Sequence, residues 1–211
     1  PVYGSAASRP DGTAPQEGTQ YEVGVKYQPI AIDAMFTAAL FDLTQENVSQ
    51  WNSTTSTYQQ IGEINSRGLE LEGKMSLDER TNLTLAYTYL DAEIKDDVVA
   101  GNVGNRPSNV PEHNASAWLD YTIPEHGVFG DLTLGGGVRF VGSRYNNDAN
   151  TDLLGSHTVV DAMVNYMVTD NVSLAVNATN LFDREYVASN TFGSRFYGEG
   201  RTVLATLKYS W

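Results

Sequence analysis

The sequence predicts an all-β chain that forms an antiparallel transmembrane β-barrel, and three observations carry that prediction. Apolar and polar residues alternate with a period of two along most of the chain, and the connections between alternating segments are short and long by strict turns. Tyrosines gather on the apolar face, mostly toward segment ends. Successive strand side chains point to opposite sides, so each segment has one apolar and one polar face. A soluble sandwich gives no reason to place every long connection at one end. An outer-membrane barrel does, with short periplasmic turns and long extracellular loops.

Nine strands are expected, at about 18–29, 30–43, 59–75, 81–94, 112–123, 131–145, 156–168, 171–183 and 196–211. The first sets Glu22 and Lys26 against Tyr27, and the second carries Asp33 and the longest unbroken apolar run, Ala38 to Phe41. The third holds Arg67, Glu70, Glu72 and Lys74, assigned to the polar face. In the fourth, Leu83, Leu85, Tyr87 and Tyr89 alternate with Thr84, Ala86 and Thr88. The fifth has Asp120 beside Tyr121, and the sixth has Arg139. In the seventh, Val160, Ala162, Val164, Tyr166 and Val168 face away from Asp161, Met163, Asn165 and Met167. Val172, Leu174, Val176 and Ala178 alternate with Ser173, Ala175, Asn177 and Thr179 in the eighth. The ninth alternates Val203, Ala205, Leu207, Tyr209 and Trp211 with a polar set that only Leu204 interrupts.

Short connections, near residues 28–30, 76–80, 124–130 and 169–171, hold turn formers such as Pro29, Asp78, Pro124 and Asp170. The long ones, 44–58, 95–111, 146–155 and 184–195, are rich in Asn, Asp, Ser, Thr and Gly. In a barrel the apolar face meets outer-membrane lipid and the polar face lines a wet lumen. Tyr27, Tyr87, Tyr89, Tyr121, Tyr166, Tyr209 and Trp211 then form interfacial girdles, since their rings are apolar in body and polar at the tip.

Composition removes other classes. A net charge of −13, with only 13 Lys+Arg, lacks the basic footprint of a nucleic-acid binder. Zero cysteines exclude a disulfide framework, a Cys-ligated metal and a cysteine nucleophile. An apolar run of four residues cannot be a transmembrane helix, which needs roughly 20. His113, His126 and His157 show no ligand spacing, and no G-x-S-x-G element is present, so neither a metal site nor a hydrolase is expected. Asp148, Asn150 and Asp152 echo half of a calcium loop, but Leu153 stands where its glycine belongs and Val159 where its glutamate belongs. They read as a flexible polar loop. Single-chain bacterial barrels have even strand numbers and begin on the periplasmic side. Nine strands ending at Trp211, with neither start methionine nor signal peptide, therefore make residues 1–211 the expected C-terminal part of a larger barrel.

Several stretches resemble the TonB-dependent siderophore receptors of the Gram-negative outer membrane, with the ferric-hydroxamate (ferrichrome-type) branch nearest. They are QYEVGVKYQP at 20–29, INSRGLELEGK at 64–74, AYTYLDAE at 86–93, PEHNASAWLDYT at 111–122 and NATNLFDREYVAS at 177–189, followed by the terminal aromatic Trp211. The Asn-Leu-Phe-Asp run at 180–183 with Tyr186 marks the receptor superfamily, and YEVGVKY and SRGLELE narrow it to siderophore receptors. DREYVAS and the loop after it point to the hydroxamate branch, although that loop is shorter and lacks the cysteine pair of the ferrichrome pattern.

The resemblance implies a barrel of about 22 strands around a plug, the N-terminal plug domain being absent from this chain. It implies binding of a ferric siderophore, and uptake energised by the TonB complex through a plug segment. Iron then travels inside the siderophore, so no cofactor and no protein-bound metal are expected. Ligand contacts would come from loop aromatics: Phe192 first, as the family's final outer loop places an aromatic near the ligand, then Trp51, Tyr58, Tyr3 and Tyr197, with Tyr145 and Phe196 also available. Arg67, Glu70, Glu72 and Lys74 would face the plug, and Trp211 would serve as the signal read by the barrel-assembly machinery. A passive or substrate-selective porin-like channel shares the alternation, girdle and loops and is the alternative reading. A barrel lipase would need a nucleophile–histidine pair at the outer rim.

Overall fold

A computed structural model describes residues 15–52, 56–125, 130–191 and 194–211. Nine strands form one antiparallel sheet in which each pairs with its neighbours along the chain. They are β1 (Glu17–Tyr27), β2 (Ala34–Asn52), β3 (Thr57–Ser76), β4 (Thr81–Asp96), β5 (His113–Ile123), β6 (Leu132–Val141), β9 (His157–Thr169), β10 (Val172–Thr179) and β13 (Thr202–Tyr209). Two small ribbons stand apart, β7 (Arg144–Tyr145) with β8 (Leu153–Leu154), and β11 (Val187–Thr191) with β12 (Ser194–Tyr197). A single 3-10 turn, Ala100–Asn102, is the helical element among the described residues.

The period-two pattern becomes one continuous apolar face. Rows of directly opposed residues cross the sheet: Val23, Leu40, Leu69 and Tyr89 in one, and Val25, Ala38, Leu71, Tyr87 and Ala115 in the next. Leu134 and Val164 continue it to Val176 and Ala205. Among the described residues no second layer covers this face: Val23 is 69% and Leu207 70% exposed. A sandwich would bury these residues against a facing sheet. An uncovered apolar face of this extent belongs against lipid. The tyrosines expected in the girdles all project from it: Tyr27 pairs with Phe36, Tyr121 with Leu134, and Tyr209 with Val172.

Connections alternate as expected, but several element ends differ from the sequence reading. Residues 44–58 were expected as a loop, yet β2 and β3 run 19 and 20 residues and remain in register out to Asn52↔Thr57. Polar Thr, Gln, Ser and Asn satisfy a two-stranded ribbon beyond the sheet as well as they satisfy a loop, because the partner strand supplies the backbone bonds and no face need be apolar. Asp33 precedes β2, where its carboxylate accepts the Ser76 hydroxyl at 3.2 Å. The eighth strand stops at Thr179 because Asn180 turns to φ +50°. The ninth starts at Thr202 because residues 194–197 belong to the β11–β12 ribbon. The β3–β4 turn is closed by Asp78, whose carboxylate accepts the Arg80 amide at 2.8 Å and the Thr81 hydroxyl at 3.0 Å.

Candidate functional site

Two regions carry the groups expected to act: the polar face of the sheet and the end bearing the long connections. On the polar face, Glu70 lies between Ala39 and Thr88, Glu72 between Thr37 and Ala86, and Lys74 between Met35 and Thr84. All three are exposed. None joins the ion pairs of the described residues, since each faces uncharged residues on both adjoining strands. Arg67 departs from the expected set. It stands an odd number of residues from Glu70, so it projects from the opposite face, in the row of Asp42 and Asp91. There its Nε donates to Asp42 at 3.0 Å, and Asp42 also accepts the Asn65 amide at 2.7 Å. Arg67 is therefore an outer-surface residue beyond the apolar band, and not part of the lumen set.

One polar-face residue went unnoticed in the sequence. Trp118 shares its face with Ser116 and Asp120, not with Ala117 and Leu119, so its indole lies on the polar side. It rests across Gly135 and Gly137 of β6, where a Cβ would come within 2.7 Å and 2.6 Å of the ring. Parity within PEHNASAWLDYT was the available signal.

At the long-connection end, the Asn-Leu-Phe-Asp run is a clip. Asn180 is 3% exposed and sits at φ +50°, a conformation asparagine tolerates better than most residues. Its amide group donates to the carbonyls of Arg184 at 2.9 Å and Glu199 at 3.0 Å, and its side-chain oxygen accepts the Arg184 N–H at 2.8 Å. Its backbone N–H donates to Asp161 at 2.9 Å, and Asp161 also receives both ends of the Arg139 fork at 2.6 and 3.2 Å. Asp183, at φ +55°, accepts the Arg201 N–H at 2.7 Å. The connection from β10 to β13 is thus closed at its base from both sides. Beside it, the His157 imidazole stacks on Tyr186 with ring centroids 4.1 Å apart.

The long connections are also tied to one another. Asn150, expected in a flexible loop, sits at φ +53° and binds Arg106 reciprocally: its amide donates to the Arg106 carbonyl at 2.7 Å and its oxygen accepts the Arg106 N–H at 3.0 Å. Asp148 accepts the Ser108 N–H at 2.7 Å, and its carbonyl accepts the Asn105 amide at 2.9 Å. Arg144, 3% exposed, reaches from β7 to the carbonyls of Val187 and Ala188 on β11. Ile94, Leu154 and Val159 are buried in this region, where the described residues of the β4–β5, β6–β9 and β10–β13 connections meet.

Of the expected ligand contacts, Tyr197 and its neighbour Phe196 project from β12, 68% and 54% exposed. Tyr145 lies on β7 and anchors the Asn109 N–H through its carbonyl at 2.7 Å. Trp51 and Tyr58 are cross-strand partners on the β2–β3 ribbon, where a loop was expected, and their side chains lie outside the described residues. Tyr3 and Phe192 lie outside the described residues altogether. Trp211 follows β13, 99% exposed, with Tyr209 at 6.4 Å between ring centroids. Among the described residues, no group of three or more His, Cys, Asp or Glu is placed to hold a metal ion.

Residues 1–181 match the family model described as TonB dependent receptor-like, beta-barrel. The chain is 45% identical over 205 residues to the ferrichrome outer membrane transporter/phage receptor of Escherichia coli K12, covering 93% of this chain and 27% of that protein. It is 35% identical over 201 residues to the ferrioxamine B receptor of Salmonella typhimurium, covering 93% of this chain and 28% of the relative. The chain thus spans about a quarter of the length of these relatives. Among solved structures it resembles the siderophore receptor PiuA of Acinetobacter baumannii, with a TM-score of 0.78 and 28% identity over 98% of this chain and 31% of the other. The fold is also that of the ferric yersiniabactin uptake receptor FyuA of Yersinia pestis, with a TM-score of 0.80 and 23% identity over 92% of this chain and 30% of that one.

Proposed function

Since the chain belongs to the TonB-dependent receptor β-barrel family, and is part of an outer-membrane barrel and not an enzyme, we propose that the whole protein is a receptor and active transporter for a ferric siderophore of hydroxamate type. The observation that carries this reading is the 45% identity to a ferrichrome transporter along 93% of the chain, with a ferrioxamine B receptor also similar across the same extent. In this reading the β-sheet is a segment of barrel wall, its apolar face on lipid and its polar face on the lumen. The tied connections form one side of an outer vestibule. Iron enters already wrapped by its siderophore, so the wall supplies aromatic and polar contacts, such as those of Tyr197 and Phe196, and no metal ligands. Trp211 is read as the terminal signal for the barrel-assembly machinery.

Tryptophan-fluorescence quenching of the whole receptor by ferrichrome, ferrioxamine B and a ferric catecholate tests the ligand class. Saturable quenching by a hydroxamate is expected. A response to the catecholate alone would reject the hydroxamate assignment.

The plug of the same receptor, coupled to the TonB complex, is the proposed partner of Glu70, Glu72 and Lys74. Their cross-strand neighbours are alanine, threonine and methionine, so their counter-charges come from whatever fills the lumen. Reversing both glutamates (Glu70→Lys with Glu72→Lys) should impair uptake of radiolabelled iron complex far more than surface binding. Equal loss of both would remove the plug assignment.

A further inference from the structure

We propose that Arg144 is the positioning residue of the last outer loop: it holds the β11–β12 ribbon where Phe196 and Tyr197 can meet the ligand, without touching the ligand itself. The proposal rests on the siderophore reading above. Three observations carry it.

The Arg144 guanidinium is buried at 3% exposure, yet no carboxylate pairs with it among the described ion pairs. Burial accordingly pulls its pKa below the ordinary guanidinium value. A cation buried without a counter-charge is unfavourable unless its hydrogen bonds compensate. What it does have is two carbonyls, both on Nη2, which donates to Val187 at 2.8 Å and to Ala188 at 2.5 Å, while Nη1 is buried with no hydrogen-bond partner.

Those carbonyls belong to consecutive residues of a strand, which ordinarily point in opposite directions. A register shift between Val187 and Ser189 breaks the β11–β12 ladder at this point. An irregularity of this kind re-aims backbone groups, and here it lets both carbonyls converge on one nitrogen. The irregular strand presents both carbonyls to the single Nη2 at the end of the guanidinium, and a lysine, whose ammonium sits on a different reach, reproduces that joint only in part.

Among the described residues, the ribbon has little else beyond its base. Arg195 and Asp152 meet at 3.7 Å with the Arg195 side chain 55% exposed, a geometry that contributes little. Asn180, Asp183 and the Gly198 N–H to the Tyr186 carbonyl secure the base of the connection, not its tip. Release of Arg144 therefore frees the ribbon that carries the exposed aromatics while leaving the barrel wall intact.

The test uses the whole receptor in outer-membrane vesicles with three variants. Arg144→Met keeps the bulk and removes the donors, Arg144→Lys keeps the charge, and Arg195→Gln removes only the exposed contact. Amide exchange over residues 187–197 is read without ligand, then affinity and dissociation rate for ferrichrome and ferrioxamine B. In Arg144→Met, exchange over 187–197 should rise at least about tenfold, with residues 202–209 unchanged. Affinity should fall about tenfold, equivalent to about 1.4 kcal/mol, mainly through faster dissociation. Arg144→Lys should recover part of both, and Arg195→Gln should match the unaltered receptor. Unchanged exchange in Arg144→Met would overturn the proposal. So would reduced amounts of assembled receptor with the surviving molecules binding normally, the result expected of a merely structural residue. A receptor that binds neither hydroxamate, yet loosens over 187–197 in Arg144→Met, would defeat the hydroxamate reading and leave the joint standing.

Discussion

Replacing Asn180 by alanine in the whole receptor is expected to lower the temperature at which the folded barrel converts to its heat-denatured band by several degrees, a larger effect than any exposed loop substitution. Three side-chain hydrogen bonds disappear at once, and the carbonyls of Arg184 and Glu199 and the N–H of Arg184 lose their partner. Each buried polar group left unsatisfied costs about 1–3 kcal/mol. Alanine must also adopt φ near +50°, at a further cost of about 1–2 kcal/mol. Even if water reaches some of these groups, the sum is about 3 kcal/mol or more. Asn180→Gly separates the two contributions, because glycine accepts the backbone conformation but supplies no bonds. Glycine should therefore recover only the conformational part. Denaturation of Asn180→Ala at the unaltered temperature would show that the connection is closed by other contacts.

That clip also shows which parts of the molecule were legible in the sequence. The run NLFD served there as a marker of resemblance, with no physical role attached. In the structure it is a pair of left-handed residues, Asn180 and Asp183, whose side chains replace backbone partners. The strands were legible because the pleat imposes a period of two on any sheet with one apolar and one wet face. Hence Val203 to Tyr209 and Leu83 to Tyr89 project as expected. Where no face must be apolar, the period vanishes. Residues 44–58 could not be told from a loop, although they extend the longest hairpin. Charge misled at Arg67, which was grouped with Glu70 by residue type although its odd position put it on the other face, opposite Asp42. Arg144 and Asn150 were not legible at all. Their partners lie 43 to 44 residues away on other connections, and only folding brings them together.

Trp118 offers the second large expected effect, because the bed it lies on tolerates no side chain. At Gly137 an added Cβ would stand 2.6 Å from the Ala117 carbonyl and 2.6 Å from the indole. At Gly135 the nearest atoms are the indole at 2.7 Å and the Met163 methyl at 3.2 Å. Both glycines face the polar side, opposite Trp118 and Asp120 across the β5–β6 ladder. Side chains can move aside, whereas a ladder carbonyl cannot do so without disturbing the pairing of two strands. Gly137→Ala should therefore be the more damaging, by about 1–3 kcal/mol as overpacking typically costs. Gly135→Ala should cost less, with the indole displaced toward the lumen. The pairing of causes can be separated with Trp118→Ala. Added to Gly135→Ala, it should restore most of the lost stability, since only side-chain crowding is relieved. Added to Gly137→Ala, it should restore part, because the Ala117 carbonyl remains in the way. Such non-additivity is expected only between residues in contact. The measurement is the thermal conversion of each folded receptor, together with the emission of Trp118 where it is retained. Equal penalties at the two glycines, or full rescue of Gly137→Ala by Trp118→Ala, would mean that the indole, and not the backbone, sets the limit at both positions.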